Sequence, residues 1–271
     1  MRVAVVGHVE WIRFCRVEEM PGAGDIAHST DDWEQAGGAG AVAAAQLALL
    51  ADETMLFTAL GDDELGRRAC EELESLGVRV HVGTVRGPTR WAFTHVDDEG
   101  ERTITTVGVK QRPRGNDEAL PWHELVGADA VYFVAGDEDA LRWARRARVL
   151  VATSRELDVL RRGAVPLDAV VGSGSDEAER FHPGDLDPAP VLTISTGGRL
   201  GGWSQPGGPY TAAPLPGPVD DTYGAGDCFA AGLTYALGAG EPPAEAIAFA
   251  AKCGAAALTG RGVSPQAVAL H

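Results

Sequence analysis

The segment 221–227 reads Asp-Thr-Tyr-Gly-Ala-Gly-Asp and places a carboxylate at the end of a glycine-rich turn. The apolar run 228–237 that follows predicts a helix, so the turn would form the N-terminus of that helix. Backbone N–H groups at such a terminus, reinforced by the helix dipole, bind small anions such as a phosphate oxygen. Asp227 would then either accept a proton from a hydroxyl group that attacks phosphorus or only cap the helix. The spacing therefore indicates a phosphoryl-transfer site.

Gly224 and Gly226 are expected to give this turn backbone conformations that residues with a side chain avoid. Glycine-rich turns before helices are common, so the turn alone is weak evidence for a kinase. A second glycine cluster at residues 37–40 precedes the Ala-rich run 41–50. This cluster predicts either a second ligand-binding turn or close packing of a helix against a sheet.

The composition predicts a folded protein with a sizeable core. The chain has 271 residues, of which 45% are hydrophobic, and we expect one domain over residues 1–271. No apolar run reaches the roughly 18 to 20 residues that cross a bilayer, and the first residues predict a buried strand rather than a signal peptide. The four cysteines lack the spacing of a zinc or disulfide framework. We therefore expect a cytoplasmic protein that does not bind membranes.

The net charge of −16 argues against a nucleic acid partner, because binding to a phosphate backbone requires clustered Lys and Arg. An anionic nucleotide would need local positive charge from backbone amides, basic side chains and a metal ion. Mg²⁺ is the simplest choice for that ion.

Strand and helix patterns alternate along most of the chain. Short apolar runs predict strands at 3–6, 54–60, 130–135, 149–152, 169–171 and 191–195, with helical patterns at 62–76 and 137–147. The first of these helices would begin at Asp62 or Asp63 and end at Gly77. This alternation predicts a parallel sheet covered by helices on both faces.

The pattern changes between residues 78 and 108, where strands at 78–82, 90–96 and 102–107 predict an antiparallel meander. With the segment 9–36 this meander would form a small sheet that covers the active site or pairs with another subunit. The Gly- and Pro-rich segment 197–220 predicts a loop or irregular hairpin.

In this order along the chain, the features resemble the ribokinase-like (PfkB) family of carbohydrate and nucleoside kinases. The segment 221–232, Asp-Thr-x-Gly-Ala-Gly-Asp-x-Phe-x-x-Gly, is similar to that family's C-terminal signature, and residues 37–40 and 61–66 match its earlier glycine motifs. The resemblance implies an α/β fold, a doubly wound parallel sheet sandwiched by helices, with a small antiparallel β-sheet lid. It also implies that ATP donates its γ-phosphate to an alcohol with the help of Mg²⁺.

Carried over by motif position, the resemblance also implies the site residues. Asp227 would be the general base, and the anion hole would consist of the amides of Gly224, Ala225 and Gly226. Nucleotide contacts would come from Thr196, Gly198, Thr222, Gly224, Gly226 and Lys252. The stretches around Thr196 and Lys252 would equally suit an ordinary turn and a packed helix. Acceptor contacts would come from Glu10, Gly37, Gly38 and Asp227.

Some acceptor positions depart from the family pattern. Val42 stands where relatives carry an Asn that contacts the acceptor, and its side chain cannot form hydrogen bonds. Near the first strand, where relatives often carry Asn and Asp, this chain has His8, Glu10 and Ile12. Glu10 would bind substrate hydroxyls or a cationic acceptor, or would be a solvated loop residue. A common sugar acceptor is therefore not assured.

The metal-side motif departs as well. Relatives show an Asn-x-x-Glu pattern that organises Mg²⁺ through water, and we align Ser173 with the Asn and Asp176 with the Glu. Glu177 is an alternative candidate for the metal-side carboxylate, because a slip of one residue is within the error of such an alignment. Oxygen ligands suit Mg²⁺ in either register.

The sequence therefore predicts an ATP-dependent phosphotransferase that phosphorylates a hydroxyl of a sugar or related small polyol, with a homodimer as the expected assembly and a monovalent-cation requirement left open. A nucleoside kinase of the same fold is one alternative, because aromatic side chains could stack on a base. These are Trp11, Phe14, Trp33, Trp91 and Phe93. The other alternative is a non-catalytic ligand-binding relative, suggested by Val42 and by the Ser173 and Asp176 pair.

Overall fold

The computed structural model describes residues 1–263, which form two β-sheets. The strands of the larger sheet are β1 Arg2–Val6, β4 Glu53–Ala59, β5 Val78–Gly83, β8 Ala130–Phe133, β9 Val149–Thr153, β10 Ala169–Ser173, β11 Leu192–Thr196, β12 Gly202–Gln205 and β13 Gly208–Tyr210. Their spatial order is β13-β12-β11-β10-β9-β8-β1-β4-β5. Every pair from β11 to β5 is parallel, whereas β12 and β13 add antiparallel strands at one edge.

Helices cover both faces of this sheet, as predicted. They are α1 Ala39–Ala48, α2 Glu64–Ser75, α3 Glu138–Ala144, α4 Leu157–Gly163, α5 Ala225–Ala239 and α6 Pro243–Ala257. One apolar core joins α1, α2, α5 and α6 to the sheet, and a second core joins α3 and α4 to the opposite face. The central strands β1, β8 and β9 are almost fully buried, which agrees with their unbroken apolar sequences.

The smaller sheet consists of β2 Glu10–Arg16, β3 Asp31–Gly37, β6 Trp91–Val96 and β7 Arg102–Val107, in the order β3-β2-β6-β7. We call it the lid. The hairpin between β6 and β7 turns at residues 97–100, as the sequence predicted, and Gly100 supplies the positive φ of 80°. Every residue of β7 is exposed.

One predicted lid strand lies elsewhere. Residues 78–83 form β5, which pairs in parallel with β4 at the edge of the large sheet, so the lid insertion begins near residue 91 rather than 78. The alternating pattern of β5 is typical of an edge strand as well as of a meander, and the sequence could not separate the two. The segment 197–220 contains the hairpin of β12 and β13 rather than loop alone.

Helix boundaries follow local side-chain chemistry. Asp63, not Asp62, caps α2 by accepting a hydrogen bond of 2.9 Å from the Gly66 N–H, and Gly77 follows the helix with a positive φ of 87°. Among the described helices, none is long and apolar enough to cross a membrane.

Candidate active site

The segment 221–227, which we call the anion loop, leads directly into α5. Gly224 is the N-cap of the helix with φ 77°, and no side chain caps the free N–H groups of the first turn. A Cβ atom on Gly224 would lie 2.7 Å from Cγ1 of Val42, whereas one on Gly226 would meet nothing within 4 Å. Only Gly224 therefore needs an unusual backbone conformation, and Gly226 instead leaves open space at the helix terminus.

Asp221 stabilises the conformation of the anion loop through hydrogen bonds to its buried carboxylate. Its buried carboxylate accepts hydrogen bonds of 2.8 Å from the Tyr223 N–H and 3.1 Å from the Gly262 N–H. Burial raises the pKa of Asp221, and these two hydrogen bonds oppose that rise. Asp221 is thus a structural member of the motif.

Asp227 occupies the first turn of α5 and is partly buried. Burial raises the pKa of its carboxyl to about 6, and the nearby negative charge of Glu179 adds to the rise. Arg102, Arg155 and Lys110 lower the pKa in turn. The carboxylate is therefore surrounded by one acidic and three basic groups at the end of the anion loop.

The predicted acceptor residues lie on the other side of the anion loop. Gly38 has φ 82°, and its N–H donates a 2.7 Å hydrogen bond to the Tyr223 hydroxyl. A Cβ on Gly38 would lie 3.1 Å from His8 Cδ2 and 3.3 Å from Glu10 Cγ. Gly37 is needed for packing, because a Cβ there would lie 2.3 Å from Ile12 Cδ1. The structure therefore brings the glycine pair, His8 and Glu10 together.

Glu10 is already paired with a cation. Its carboxylate lies 2.9 Å from the guanidinium of Arg90, and both side chains are largely buried. Burial raises the pKa of Glu10, and Arg90 and Lys110 oppose the rise. Because Arg90 meets the need for a positive partner, the structure does not support binding of a cationic acceptor at Glu10. Glu10 is also not a solvated loop residue.

Two apolar side chains, Ile12 and Val42, lie beside the Glu10–Arg90 pair, and we call them the apolar wall. Ile12 and Val42 are both fully buried and pack with Phe14, Tyr223 and Cys228. Val42 stands where the family resemblance places an Asn, and Ile12 belongs, with His8 and Glu10, to the stretch where relatives often carry Asn and Asp. The wall offers no side-chain hydrogen bond to an acceptor.

A group that we call the basic network lies at the carboxyl edge of the large sheet. It consists of Lys110 and Arg112, which follow the last lid strand, and Glu156, which follows β9. Lys110 Nζ lies 3.0 Å from Glu156 Oε1, Arg112 contacts Glu156 Oε2, and the Glu156 side chain is only 2% exposed. No spacing in the sequence pointed to these residues, since they come from separate segments.

The predicted metal-side residues are exposed to solvent or engaged by other groups of the protein. The Glu177 side chain is 85% exposed, and Asp176 caps the turn Glu177–Glu179 and lies 2.7 Å from Arg155. Glu179 instead faces the site: it raises the pKa of Asp227, contacts Arg155, and accepts a 3.0 Å hydrogen bond from the Ser173 N–H. The run 176–179, Asp-Glu-Ala-Glu, has the Asn-x-x-Glu spacing with Asp in first place, which is an alternative register to the alignment of Ser173 and Asp176.

The predicted nucleotide residues outside the anion loop come from β11, the turn after it and α6. Thr196 ends β11, Gly198 has φ 57° in the following turn, and Lys252 is exposed on α6. Thr222 is engaged by the lid, because its hydroxyl donates a 3.0 Å hydrogen bond to the Gly100 carbonyl and accepts one of 2.8 Å from Arg102. The lid hairpin thus touches the anion loop directly.

The lid aromatics have partners within the protein. Phe14 stacks on Trp33 at 4.6 Å between ring centroids, and Arg68 lies 4.2 Å from the centroid of Trp11. Arg13 lies over Trp91 in the same way, and Phe93 packs edge-on against His95. These contacts account for the aromatic side chains without a bound base.

Comparison with known proteins agrees with this geometry. The description "pfkB family carbohydrate kinase" matches residues 1–156 and 191–268. The chain therefore belongs to the pfkB family of carbohydrate kinases. This membership confirms the predicted class, an ATP-dependent sugar kinase.

Individual relatives show the same relationship. An ATP-dependent ribose-1-phosphate kinase from Halopiger xanaduensis is 29% identical over 275 residues, which cover 94% of this chain and 91% of that protein. The solved ribokinase of Thermotoga maritima has a TM-score of 0.77 at 19% identity, covering 98% of this chain and 96% of its own. The adenosine kinase of Sinorhizobium meliloti has the same TM-score and identity, with 99% and 97% covered. These structures confirm the predicted fold.

Proposed function

We propose that this kinase transfers the γ-phosphate of ATP to a hydroxyl of a sugar or related polyol, with Asp227 as the general base. The observation that carries the proposal is the position of Asp227 in the first turn of α5, beside free backbone amides, with a pKa of about 6. Such a carboxylate is ionised at neutral pH but remains basic enough to accept a proton as the hydroxyl attacks. Its position next to the amides puts the base and the anion hole in one turn.

The amides of Gly224, Ala225 and Gly226 would stabilise the negative charge that develops on the transferring phosphoryl group. Arg155, which is held by Asp176 and Glu179 and whose charge lowers the pKa of Asp227, would supply a fixed positive charge to the site. The lid contact through Thr222 and Gly100 would close the site and exclude water, which suppresses hydrolysis of ATP.

The residues present fit a Mg²⁺ ion that keeps most of its water. Among the described residues there is no cluster of three or more His, Cys, Asp or Glu side chains that would enclose a metal. Mg²⁺ at kinase sites is commonly bound by one or two carboxylates together with water and substrate phosphates. Glu179 is the carboxylate that would serve this role, in place of the predicted Asp176 or Glu177. The bound ion would neutralise charge on the phosphates.

Neither alternative function gains support from the site. The aromatic side chains that suggested a nucleoside acceptor are packed within the protein. Of the two departures that suggested a non-catalytic relative, Val42 remains, whereas Glu179 would supply the metal-side carboxylate that the Ser173 and Asp176 pair was expected to provide. We further propose a homodimer formed through the exposed edge strand β7, and a cytoplasmic location that matches the four free cysteines.

The test is ADP release from ATP and Mg²⁺ with a panel of sugars, polyols, sugar phosphates and nucleosides, comparing wild type with Asp227→Asn. We expect acceptor-dependent turnover that falls by about 10²- to 10⁴-fold in the variant, while ligand binding is retained. Asp139→Asn, which alters an exposed ion pair on α3, is the matched control. Near-normal turnover of Asp227→Asn would refute the assignment of the base.

A further inference from the structure

Tyr223 lies in the middle of the anion loop, and the chemistry proposed for Asp227 does not use it. Its side chain is buried, and its ring packs edge-on against Phe14 of the lid, with 5.4 Å between ring centroids. Its hydroxyl oxygen accepts the 2.7 Å hydrogen bond from the Gly38 N–H. A side chain of the anion loop therefore reaches the glycine pair at which the acceptor is predicted to bind.

The glycine pair leaves room for this hydroxyl group. A Cβ atom on Gly37 would lie 2.9 Å from the Tyr223 hydroxyl oxygen, so a side chain at that position would displace it. Burial raises the pKa of Tyr223, and the negative charges of Glu10 and Asp227 add to the rise. The hydroxyl group is thus neutral at physiological pH, and its proton is available for a hydrogen bond.

The proton of the Tyr223 hydroxyl is unused. Within residues 1–263, the only hydrogen bond of this hydroxyl is the one that it accepts from the Gly38 N–H. A phenol group can both donate and accept, and buried tyrosine hydroxyls usually find a partner. Because an unpaired buried donor is costly, an acceptor oxygen from a ligand would be bound favourably here. It would extend a series of hydrogen bonds that begins at the Gly38 N–H.

Val42 marks the position at which this chain lacks an expected acceptor contact. It stands where relatives carry an Asn that contacts the acceptor, and its side chain forms no hydrogen bond. Val42 packs against the anion loop, because a Cβ on Gly224 would lie 2.7 Å from its Cγ1 atom. The Tyr223 ring belongs to the same buried cluster, while its hydroxyl reaches Gly38. Among the buried residues described for that cluster, Tyr223 alone carries a side-chain hydroxyl.

We propose that Tyr223 is a specificity-determining residue whose hydroxyl donates a hydrogen bond to a hydroxyl oxygen of the acceptor other than the one that reacts. This contact takes over the role of the amide that Val42 lacks. The acceptor is then held at two oxygens, one by Tyr223 and the reacting one by Asp227, so it must carry at least two hydroxyl groups. The role of Tyr223 rests on the kinase function proposed above.

The test removes the same hydrogen bond from the protein and from the acceptor. We would take the acceptor with the highest kcat/KM in the panel described above, together with its monodeoxy analogues, and compare wild type with Tyr223→Phe. In wild type, kcat/KM for one analogue should lie about 10- to 100-fold below that of the parent, because this analogue leaves the buried hydroxyl unpaired. In Tyr223→Phe, kcat/KM for the parent and for that analogue should agree within about threefold.

A purely structural role would give a different result. Loss of the hydroxyl also leaves the Gly38 N–H without its partner, which would lower kcat/KM for the parent and for every analogue by the same factor. Such a uniform loss would overturn the proposal. Tyr235→Phe removes a hydroxyl from a half-buried tyrosine later in α5 and is the matched control. It should discriminate between the analogues as wild type does.

The ring carbon that bears the hydroxyl reports the contact directly. The chain has four tyrosines, so labelling with ζ-¹³C-tyrosine gives four signals, and the one that is missing in Tyr223→Phe belongs to Tyr223. With ADP and Mg²⁺ saturating, the parent acceptor should shift this signal in wild type, whereas the discriminating analogue should leave it unchanged. A signal that responds equally to the two compounds would overturn the contact.

Turnover separates this inference from the function on which it rests. If wild type releases no ADP with any acceptor, the kinase function fails and the role of Tyr223 fails with it. If wild type turns over an acceptor and Tyr223→Phe discriminates between its analogues just as wild type does, the kinase function is retained and the role of Tyr223 is overturned. Loss of discrimination at one hydroxyl only, in Tyr223→Phe only, supports both.

Discussion

The anion loop and the acceptor side of this site are built in different ways. The anion loop is a contiguous segment whose function depends on backbone: Gly224 at positive φ, the free amides of α5, and Asp227 two residues into the helix. The predicted acceptor side instead depends on side chains from separate segments, such as Glu10 at the start of β2, which is paired with Arg90 just before β6. Backbone amides bind any phosphate, whereas side chains decide which acceptor is held.

This difference explains where the chain keeps the family pattern and where it departs from it. The anion loop matches the family signature throughout, whereas Val42 stands where relatives carry an Asn and is fully buried together with Ile12. The chain also has a buried ion pair between Glu10 and Arg90, and the basic network at the carboxyl edge of the large sheet. We therefore expect donor chemistry to follow the family pattern and acceptor recognition to depend on this chain's own side chains.

The largest effect that would test the comparison is expected at Gly224. Gly224→Ala requires a side chain at φ 77° and places its Cβ 2.7 Å from Val42, so the amides of the anion loop would be displaced. We expect kcat/KM for ATP to fall by about 100-fold or more, comparable to the loss of an oxyanion donor. Steady-state kinetics with wild type as reference would measure it.

Gly226→Ala is the matched control within the same loop. A Cβ at Gly226 meets nothing within 4 Å, so the unfolding temperature should not change and the loss of kcat/KM should be smaller. Equal losses in the two variants would mean that open space, rather than backbone conformation, is what the anion loop requires.

The next effect concerns the metal-side carboxylate. Glu179→Gln keeps a hydrogen-bond acceptor for the Ser173 N–H but removes the charge that faces Asp227. We expect the Mg²⁺ concentration for half-maximal rate to rise by about 10- to 100-fold, as for loss of a residue that organises a metal. Glu177→Gln changes an 85% exposed side chain and should shift the Mg²⁺ concentration for half-maximal rate by less than twofold. The reverse order would restore the alignment that the sequence suggested.

Much of the donor side could be predicted from sequence because its signals are local. The positions of most strands of the parallel sheet, the helix start at Asp62 or Asp63 and the anion loop all depend on residues close together in the chain. The lid boundary at β5 could not be predicted from sequence, because an alternating strand pairs equally well at the edge of either sheet. The basic network of Lys110, Arg112 and Glu156 could not be predicted either, because its members come into contact only when the chain folds.

A moderate effect on stability is expected when the acceptor side is returned to the family pattern. Val42→Asn would place an amide in a fully buried apolar cluster with Phe14 and Tyr223, leaving its polar groups without partners. We expect a loss of about 1–3 kcal/mol in the free energy of unfolding, measured with urea. Val42→Thr, which has nearly the same shape as the wild-type residue, should lower the free energy of unfolding by less. An unchanged stability together with new turnover of ribose would show that the pocket admits the usual sugar contact.

The smallest effect connects Asp227 to stability rather than to rate. Its pKa of about 6 lies above the ordinary aspartate value of 3.8, so the folded protein binds this proton more tightly than the unfolded chain does. The stabilisation from the protonated form is complete below the unfolded pKa and is lost as pH rises through about 6. Asp227→Asn, which is always neutral, should therefore melt at a higher temperature than wild type at pH 8.

That difference in melting temperature should shrink as the pH falls from 8 towards 5, although turnover is lost in the variant at every pH. For Asp139→Asn, on the exposed face of α3, the difference in melting temperature from wild type should not depend on pH in this way. A wild-type protein that is as stable as Asp227→Asn at pH 8 would mean that the carboxylate is solvated rather than confined by the anion loop. In that case its basicity would be ordinary, and the fall in kcat/KM of about tenfold per pH unit expected below pH 6 would instead begin near pH 4.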